Sequence, residues 1–333
     1  MNYSAPFWLP GGHLQTIAPA VWFRKPPVAF RRERWQAPDG DFVDVDLVDG
    51  QPGQPLVVLL HGLEGSSNSH YARALMAQVA ARGWSGAVPH FRGCSGEANL
   101  APRFYHSGDA EEVDWLLRRL RPRASGKFYA AGVSLGGNAL LCWLGQAQHG
   151  ADFVDAAAAV SAPLDLAQGG KALSSGANRL YTRMFLQTLK PKCLAKLEQF
   201  PGLFERAAML AARDLHAFDN VVTAPLHGYR DADDYWHRAS AKHVLHDITV
   251  PTLVLNALND PFLPGQYLPR SASPQVTLDY PRQGGHVGFS NGSLEWLPRR
   301  LLHFFEQGSA APHQAQSCQA EAIAPITETA SHG

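Results

Sequence analysis

The sequence predicts an α/β protein: a mostly parallel, eight-stranded sheet with helices on both faces and a helical insertion before the last two strands. Three observations lead there. Short runs that are apolar throughout, such as Leu56 to Leu60 (LVVLL), recur along the chain. A strand with no polar side is one buried on both faces, as in parallel sheets. Segments with apolar residues at helical spacing separate these runs, the alternation expected of crossover units. One long stretch, 163–246, breaks the rhythm and reads as helical, without a strand-like run.

The elements follow in order. Residues 28–35 and 42–48 alternate in character and read as an antiparallel pair. The buried run 56–60 comes next. Over 70–82 the residues Tyr71, Leu75, Met76 and Val79 form a helical stripe. Residues 85–89 are the fourth strand. Val113, Leu116, Leu117 and Leu120 mark a helix at 109–120. Strand 128–132, helix 135–148 and strand 156–160 complete the first half. After the insertion come strands 252–257 and 276–280, then a closing helix at 293–306. The insertion reads as a cap on a domain spanning residues 1–307. The tail 308–333 is Ala-, Gln-, Ser-, Thr- and Pro-rich without periodicity, and reads as disordered.

Composition removes several function classes. A 333-residue chain is long enough to bury a full core. Its 45% hydrophobic and 17% charged residues suit a globular enzyme. Formal net charge is +0, with no basic stripe, so no nucleic-acid partner is expected. No apolar run reaches the ~18 residues of a membrane span. The opening MNYSAPFWLPGGHLQ lacks the basic-then-apolar pattern of a signal peptide. Cys94, Cys142, Cys193 and Cys318 are widely spaced, with no Cys-x-x-Cys. They read as reduced thiols of a cytoplasmic protein. None of the 15 histidines belongs to a His-Glu-x-x-His, and a metal is not expected.

Chemistry enters at Gly132-Val133-Ser134-Leu135-Gly136. The pattern is short, and chance alone produces it in glycine-rich chains. Its setting is more specific: a strand precedes Ser134 and a helix follows it, the strand–turn–helix of a nucleophile elbow. The glycines remove side chains that would collide across the turn. A serine hydroxyl needs a base, and the base needs an orienting acid. Downstream, Asp260 follows one predicted strand in AsnAspProPhe, and His286 follows the next in GlyGlyHisValGlyPhe. Both then lie at carboxyl ends of strands, where open α/β sheets place their ligands. Asn259 and Asp279 are rival orienters. Asn259 carries no charge for an imidazolium, and Asp279 lies within its strand. Separately, Asp260 could be a turn residue and His286 a loop histidine; the order serine, acid, histidine, each after its own strand, favours the joint reading.

Two backbone N–H groups should receive a developing oxyanion, one at Leu135 and one at Leu63 in HisGlyLeuGluGlySerSer. His61 is expected to brace that loop, and Ser66 and Ser67 to cap the following helix. The stretch LeuTyrThrArgMetPheLeu, 180–186, would line an apolar acyl pocket or simply pack as core.

With these residues stated, the chain resembles the YheT-like esterases of the α/β-hydrolase superfamily, relatives of the ABHD1/ABHD3 group. The resemblance rests on PheTrpLeuProGlyGlyHisLeuGlnThrIle near the start, HisGlyLeuGluGlySerSer at 61–67 and PheArgGlyCysSerGlyGlu at 91–97. TyrHisSerGly at 105–108, GlyValSerLeuGlyGlyAsn at 132–138, AlaProLeuHisGlyTyr at 224–229 and AspAlaAspAspTyrTrp at 231–236 continue it, with AsnAspProPhe and GlyGlyHisValGlyPhe at the end. It covers residues 6 to 306 and implies ester hydrolysis without a cofactor, with Ser134, Asp260 and His286 as the triad and a small-molecule ester, of short to medium acyl chain, as substrate. The membrane anchor of eukaryotic relatives is not expected here. An acyltransferase on the same residues, or a non-catalytic interaction protein on the same scaffold, stay open; a dehalogenase would carry aspartate at the elbow. His13 and His106 are expected to be structural, and Arg92 to pair with an acid that holds its loop. Oligomeric state is left open.

Overall fold

The computed structural model describes residues 2–308; residues 309–333 of the predicted disordered tail lie outside them. Eight strands form one sheet in the order β1-β2-β4-β3-β5-β6-β7-β8. They are β1 (Arg31–Gln36), β2 (Phe42–Val48), β3 (Leu56–Leu60), β4 (Ser85–Pro89), β5 (Phe128–Val133), β6 (Ala156–Val160), β7 (Thr252–Leu255) and β8 (Val276–Asp279). The pairs β1–β2 and β2–β4 are antiparallel; all others are parallel. β1 starts three residues later than the sequence suggested. Its register runs from Arg31 against Leu47 to Gln36 against Phe42, and residues 28–30 have no ladder partner among the described residues.

Side-chain alternation divides the core in two. Leu56, Val58 and Leu60 of β3 enter one cluster, and Val57 and Leu59 enter the other, on the opposite face. Helices α3 (Ala110–Leu120) and α4 (Leu135–Ala147) cover the first face. Helices α2 (His70–Ala81) and α11 (Trp296–Gly308) cover the second. α1 (Gly11–Val21) lies ahead of the sheet in sequence. α11 begins at Trp296 rather than at 293. Pro298 then falls in the first turn, where a missing N–H breaks no helical bond.

Between β6 and β7 the chain forms α5 (Leu166–Leu173), α6 (Arg179–Gln199), α7 (Arg206–Ala211), α8 (Leu215–Val221), α9 (Thr223–Leu226) and α10 (Ala232–Arg238). Side chains of Asp165, Glu205, Asp214 and Asp231 cap α5, α7, α8 and α10 through their first N–H groups. Asn138 of α4 ties this insertion to the sheet layer. Its amide donates to the Ser107 and Ala239 carbonyls and its oxygen accepts the Ala241 N–H. No helix among the described residues is long and apolar enough to cross a membrane.

Candidate active site

β5 delivers Ser134 to the carboxyl edge of the sheet, and α4 starts directly after it. The serine has φ 53° and ψ −121°, a conformation costing about 1–3 kcal/mol for a residue with a side chain. It is held there by its N–H on the Val160 carbonyl (2.8 Å) and its carbonyl on the Asn138 N–H (3.0 Å). The turn admits no further bulk. A Cβ on Gly136 would lie 2.4 Å from the His61 carbonyl oxygen, and one on Gly132 would lie 2.4 Å from that of Gly136.

The three predicted side chains meet. His286 Nε2 is 2.9 Å from Ser134 Oγ, and His286 Nδ1 is 2.9 Å from Asp260 Oδ2. The tautomer that fits carries its proton on Nδ1, donates it to the carboxylate and leaves Nε2 to accept from the serine hydroxyl. Asp260 is buried, and its other oxygen accepts the Phe262 N–H at 2.8 Å. The Phe262 ring stacks on the imidazole at 3.9 Å between centroids, fixing the ring plane. The rival orienters are engaged elsewhere: Asp279 pairs with Arg300, and Asn259 accepts the Gly285 N–H.

Between Gly62 and Gly65 the loop leaves one N–H unused. Gly62 N–H donates to Tyr71 Oη, Glu64 N–H to Tyr105 Oη and Gly65 N–H to the Gly62 carbonyl. The Leu63 N–H between them has no partner among the described residues. Leu135, the first residue of α4, carries one of that helix's orphan donors. His61 braces the loop, as expected: Nδ1–H donates to the Gly62 carbonyl and Nε2 accepts the Phe91 N–H. Burial pushes its pKa down to about 3, so it stays neutral. Ser66 and Ser67 do not cap α2. Ser66 Oγ closes a turn onto the Asn68 N–H, and Ser67 donates to buried Asp46 at 2.5 Å, because the helix starts only at His70.

Arg92 pairs as expected, with Glu112 at 2.5 Å and with Asp41 and Asp39 at 2.8 Å. His106 is buried beside His227 and is driven down to about 3 by desolvation. His13 stacks on Tyr181, its Nδ1 3.2 Å from the hydroxyl.

Gln15 and Thr16, quoted in the opening motif without a role, frame the histidine. Gln15 Oε1 accepts from both Asn259 Nδ2 and Gly284 N–H at 2.9 Å, and its Nε2 donates to the Leu9 carbonyl. Thr16 Oγ1 accepts the His286 N–H at 2.8 Å. Ser161 Oγ accepts the Val287 N–H, and His70 contacts the Val287 carbonyl at 3.2 Å. The signal in the sequence was a glycine pair, Gly11-Gly12, at the start of α1: a Cβ on Gly12 would sit 2.0 Å from the Asn259 carbonyl oxygen.

Ser134 and His286 open into a mainly apolar pocket of ≈ 1070 Å³ of empty space, part of it open to solvent. The insertion supplies most of its wall, with Leu166, Phe185, Leu189, Phe218 and Trp236. Of the stretch 180–186 only Phe185 lines it; Leu180 and Met184 are exposed, and Leu186 packs with α7 and α8. Two polar features interrupt the wall. Glu64 meets Lys192 at 2.7 Å, and Asp219 accepts from Trp236 Nε1 and Thr223 Oγ1.

Residues 55–293 match the alpha/beta hydrolase fold family. The chain is 42% identical over 303 residues to the Escherichia coli (strain K12) protein named "Putative esterase YheT", covering 87% of this chain and 88% of that one. It is 29% identical over 304 residues to the Mus musculus protein named "Phospholipase ABHD3", across 87% and 74% of the two chains. The solved structure of the Pyrococcus furiosus esterase Pf2001 superposes with a TM-score of 0.57 at 14% identity, over 85% of this chain and 93% of that one. That last likeness concerns the fold alone.

Proposed function

The chain belongs to the alpha/beta hydrolase fold family, and on that premise we propose that it is a serine carboxylesterase. The reading rests first on the continuous run from Asp260 through His286 to Ser134, with both ring nitrogens at 2.9 Å from their partners. Ser134 Oγ attacks the ester carbonyl while its proton passes to His286 Nε2. Asp260 holds the Nδ1 proton and stabilises the imidazolium that forms. The Leu63 and Leu135 N–H groups take the oxyanion, each such donor contributing about 3 kcal/mol to the transition state in comparable sites. His286 then protonates the leaving alcohol, giving an acyl-serine. A water, deprotonated by the same Nε2, releases the acid and restores the serine.

The helices between β6 and β7 act as a cap whose apolar wall takes the acyl group, of short to medium length. The names of the two relatives, an esterase and a phospholipase, agree with a carboxylic ester as substrate. The unpaired state of Cys94, Cys142 and Cys193 fits a cytoplasmic setting. Turnover of p-nitrophenyl esters of rising acyl length tests the proposal. We expect measurable hydrolysis of short chains that His286→Ala removes. Turnover unchanged in His286→Ala would overturn the mechanism.

A further inference from the structure

We infer that the N-terminal segment carries a docking patch for the surface of an anionic lipid bilayer. Four apolar side chains near the two ends of α1 stand out of the surface: Phe7 is 96% exposed, Val21 68%, Trp22 62% and Trp8 47%. They form a group and not scattered exposures. Trp8 lies against Phe23, 6.3 Å between ring centroids, and so joins the segment before α1 to the one after it. Large exposed apolar groups gathered at one place mark an interaction surface. Tryptophan in particular settles at the headgroup level of a bilayer, where its ring is half wet.

Charge identifies the occupant. Arg24 and Lys25 follow Phe23 directly, and Arg73 of α2 shares a surface depression with them. Lys25 donates to the Asn68 carbonyl and Arg73 to the Asn68 side-chain oxygen. None of the three cations meets a carboxylate among the described residues. Glu295, beside Trp22 and Arg24, is already taken by Arg299 at 2.6 Å. Aromatic groups bordered by uncompensated cations match an anionic membrane face. A second copy of the chain fits less well, because a two-fold interface would bring two sets of these uncompensated cations into one contact. The same α1 supplies Gln15 and Thr16 to the His286 loop, so the docked segment is one that frames the site.

This inference stands apart from ester hydrolysis, and vesicle binding reads it without any turnover. The full chain is sedimented with phosphatidylcholine vesicles, with and without phosphatidylglycerol. Binding is expected with phosphatidylglycerol, weakening as salt rises. Phe7→Ser with Trp22→Ser should lower the partition coefficient at least about tenfold. Arg24→Glu with Lys25→Glu should lower it about fivefold or more per charge. These side chains are exposed, and near-ultraviolet circular dichroism checks that each variant keeps its packing. Equal binding to both vesicle types, or wild-type binding by both variants, overturns the inference. So does absence of vesicle binding together with a dimer that Phe7→Ser with Trp22→Ser dissolves, which would assign the patch to self-association.

Discussion

Replacing Gln15 by leucine tests whether the N-terminal helix does more than add stability. Gln15 is 1% exposed, and its amide bonds three segments: Leu9, Asn259 next to Asp260, and Gly284 two residues before His286. Leucine fills a similar volume and makes none of these bonds. The buried Gly284 N–H is then orphaned, and the Asn259 amide and the Leu9 carbonyl each lose a partner. A buried orphan costs about 1–3 kcal/mol and each of the two other lost bonds about 1 kcal/mol, so unfolding should become easier by about 3–5 kcal/mol. The acid and base loops also lose their common tie. If about 1.4 kcal/mol of that loss falls on their alignment, kcat drops about tenfold. KM should hold, because Gln15 does not line the pocket. Steady-state kinetics on p-nitrophenyl butyrate and urea midpoints give both numbers. Thr16→Val, which removes the acceptor for the His286 N–H and keeps the side-chain shape, should lower kcat in the same way. A reduced urea midpoint with kcat within twofold of wild type would refute the positioning argument and leave Gln15 a purely stabilising residue.

Two further outcomes follow from buried charge. Arg92→Met should cost about 3–5 kcal/mol in urea unfolding, since it strands Glu112 and Asp41 in the interior; a loss below about 1 kcal/mol would show that the cluster relaxes into water. Stability should also fall on acidification. Burial pushes His61, His106 and His227 down to about 3 and His70 to about 4, so below their unfolded value of 6.5 the unfolded chain binds more protons than the folded one. Asp219 and Glu112, pushed up by burial to about 6 and about 7, take their protons first in the folded state and offset two of the four. The net two protons give a decline of about 3 kcal/mol per pH unit between about pH 6 and pH 4. Urea unfolding at stepped pH measures it, and a flat profile there would contradict the neutral burial of these histidines.

The sheet was legible because buried parallel strands are uniformly apolar and short, and LVVLL or AAAAV can hardly be read otherwise. The meeting of Ser134, Asp260 and His286 was legible because each follows its own strand, and a motif at the end of a strand comes with a strand to place it on. The elements that slipped have local causes. Residues 28–30 look like strand but have no partner, and pairing is not a property of one segment. Ser66 and Ser67 have capping chemistry, but their turn precedes the helix by too much. Gln15, Thr16 and Ser161 act through contacts across 269, 270 and 126 residues, and a polar side chain bonding a distant loop leaves no periodic trace. Asn138 sits inside the most recognisable motif of the chain, yet nothing in the sequence marks Ser107, Ala239 and Ala241 as the partners of its three bonds.

The mass of the intact protein after reaction with a fluorophosphonate bears most directly on whether Ser134 is an activated nucleophile. The account predicts one phosphonyl adduct per chain, on the peptide containing Ser134, absent in Ser134→Ala and strongly slowed in His286→Ala. An unmodified wild-type mass, or an adduct that persists in Ser134→Ala, would contradict it.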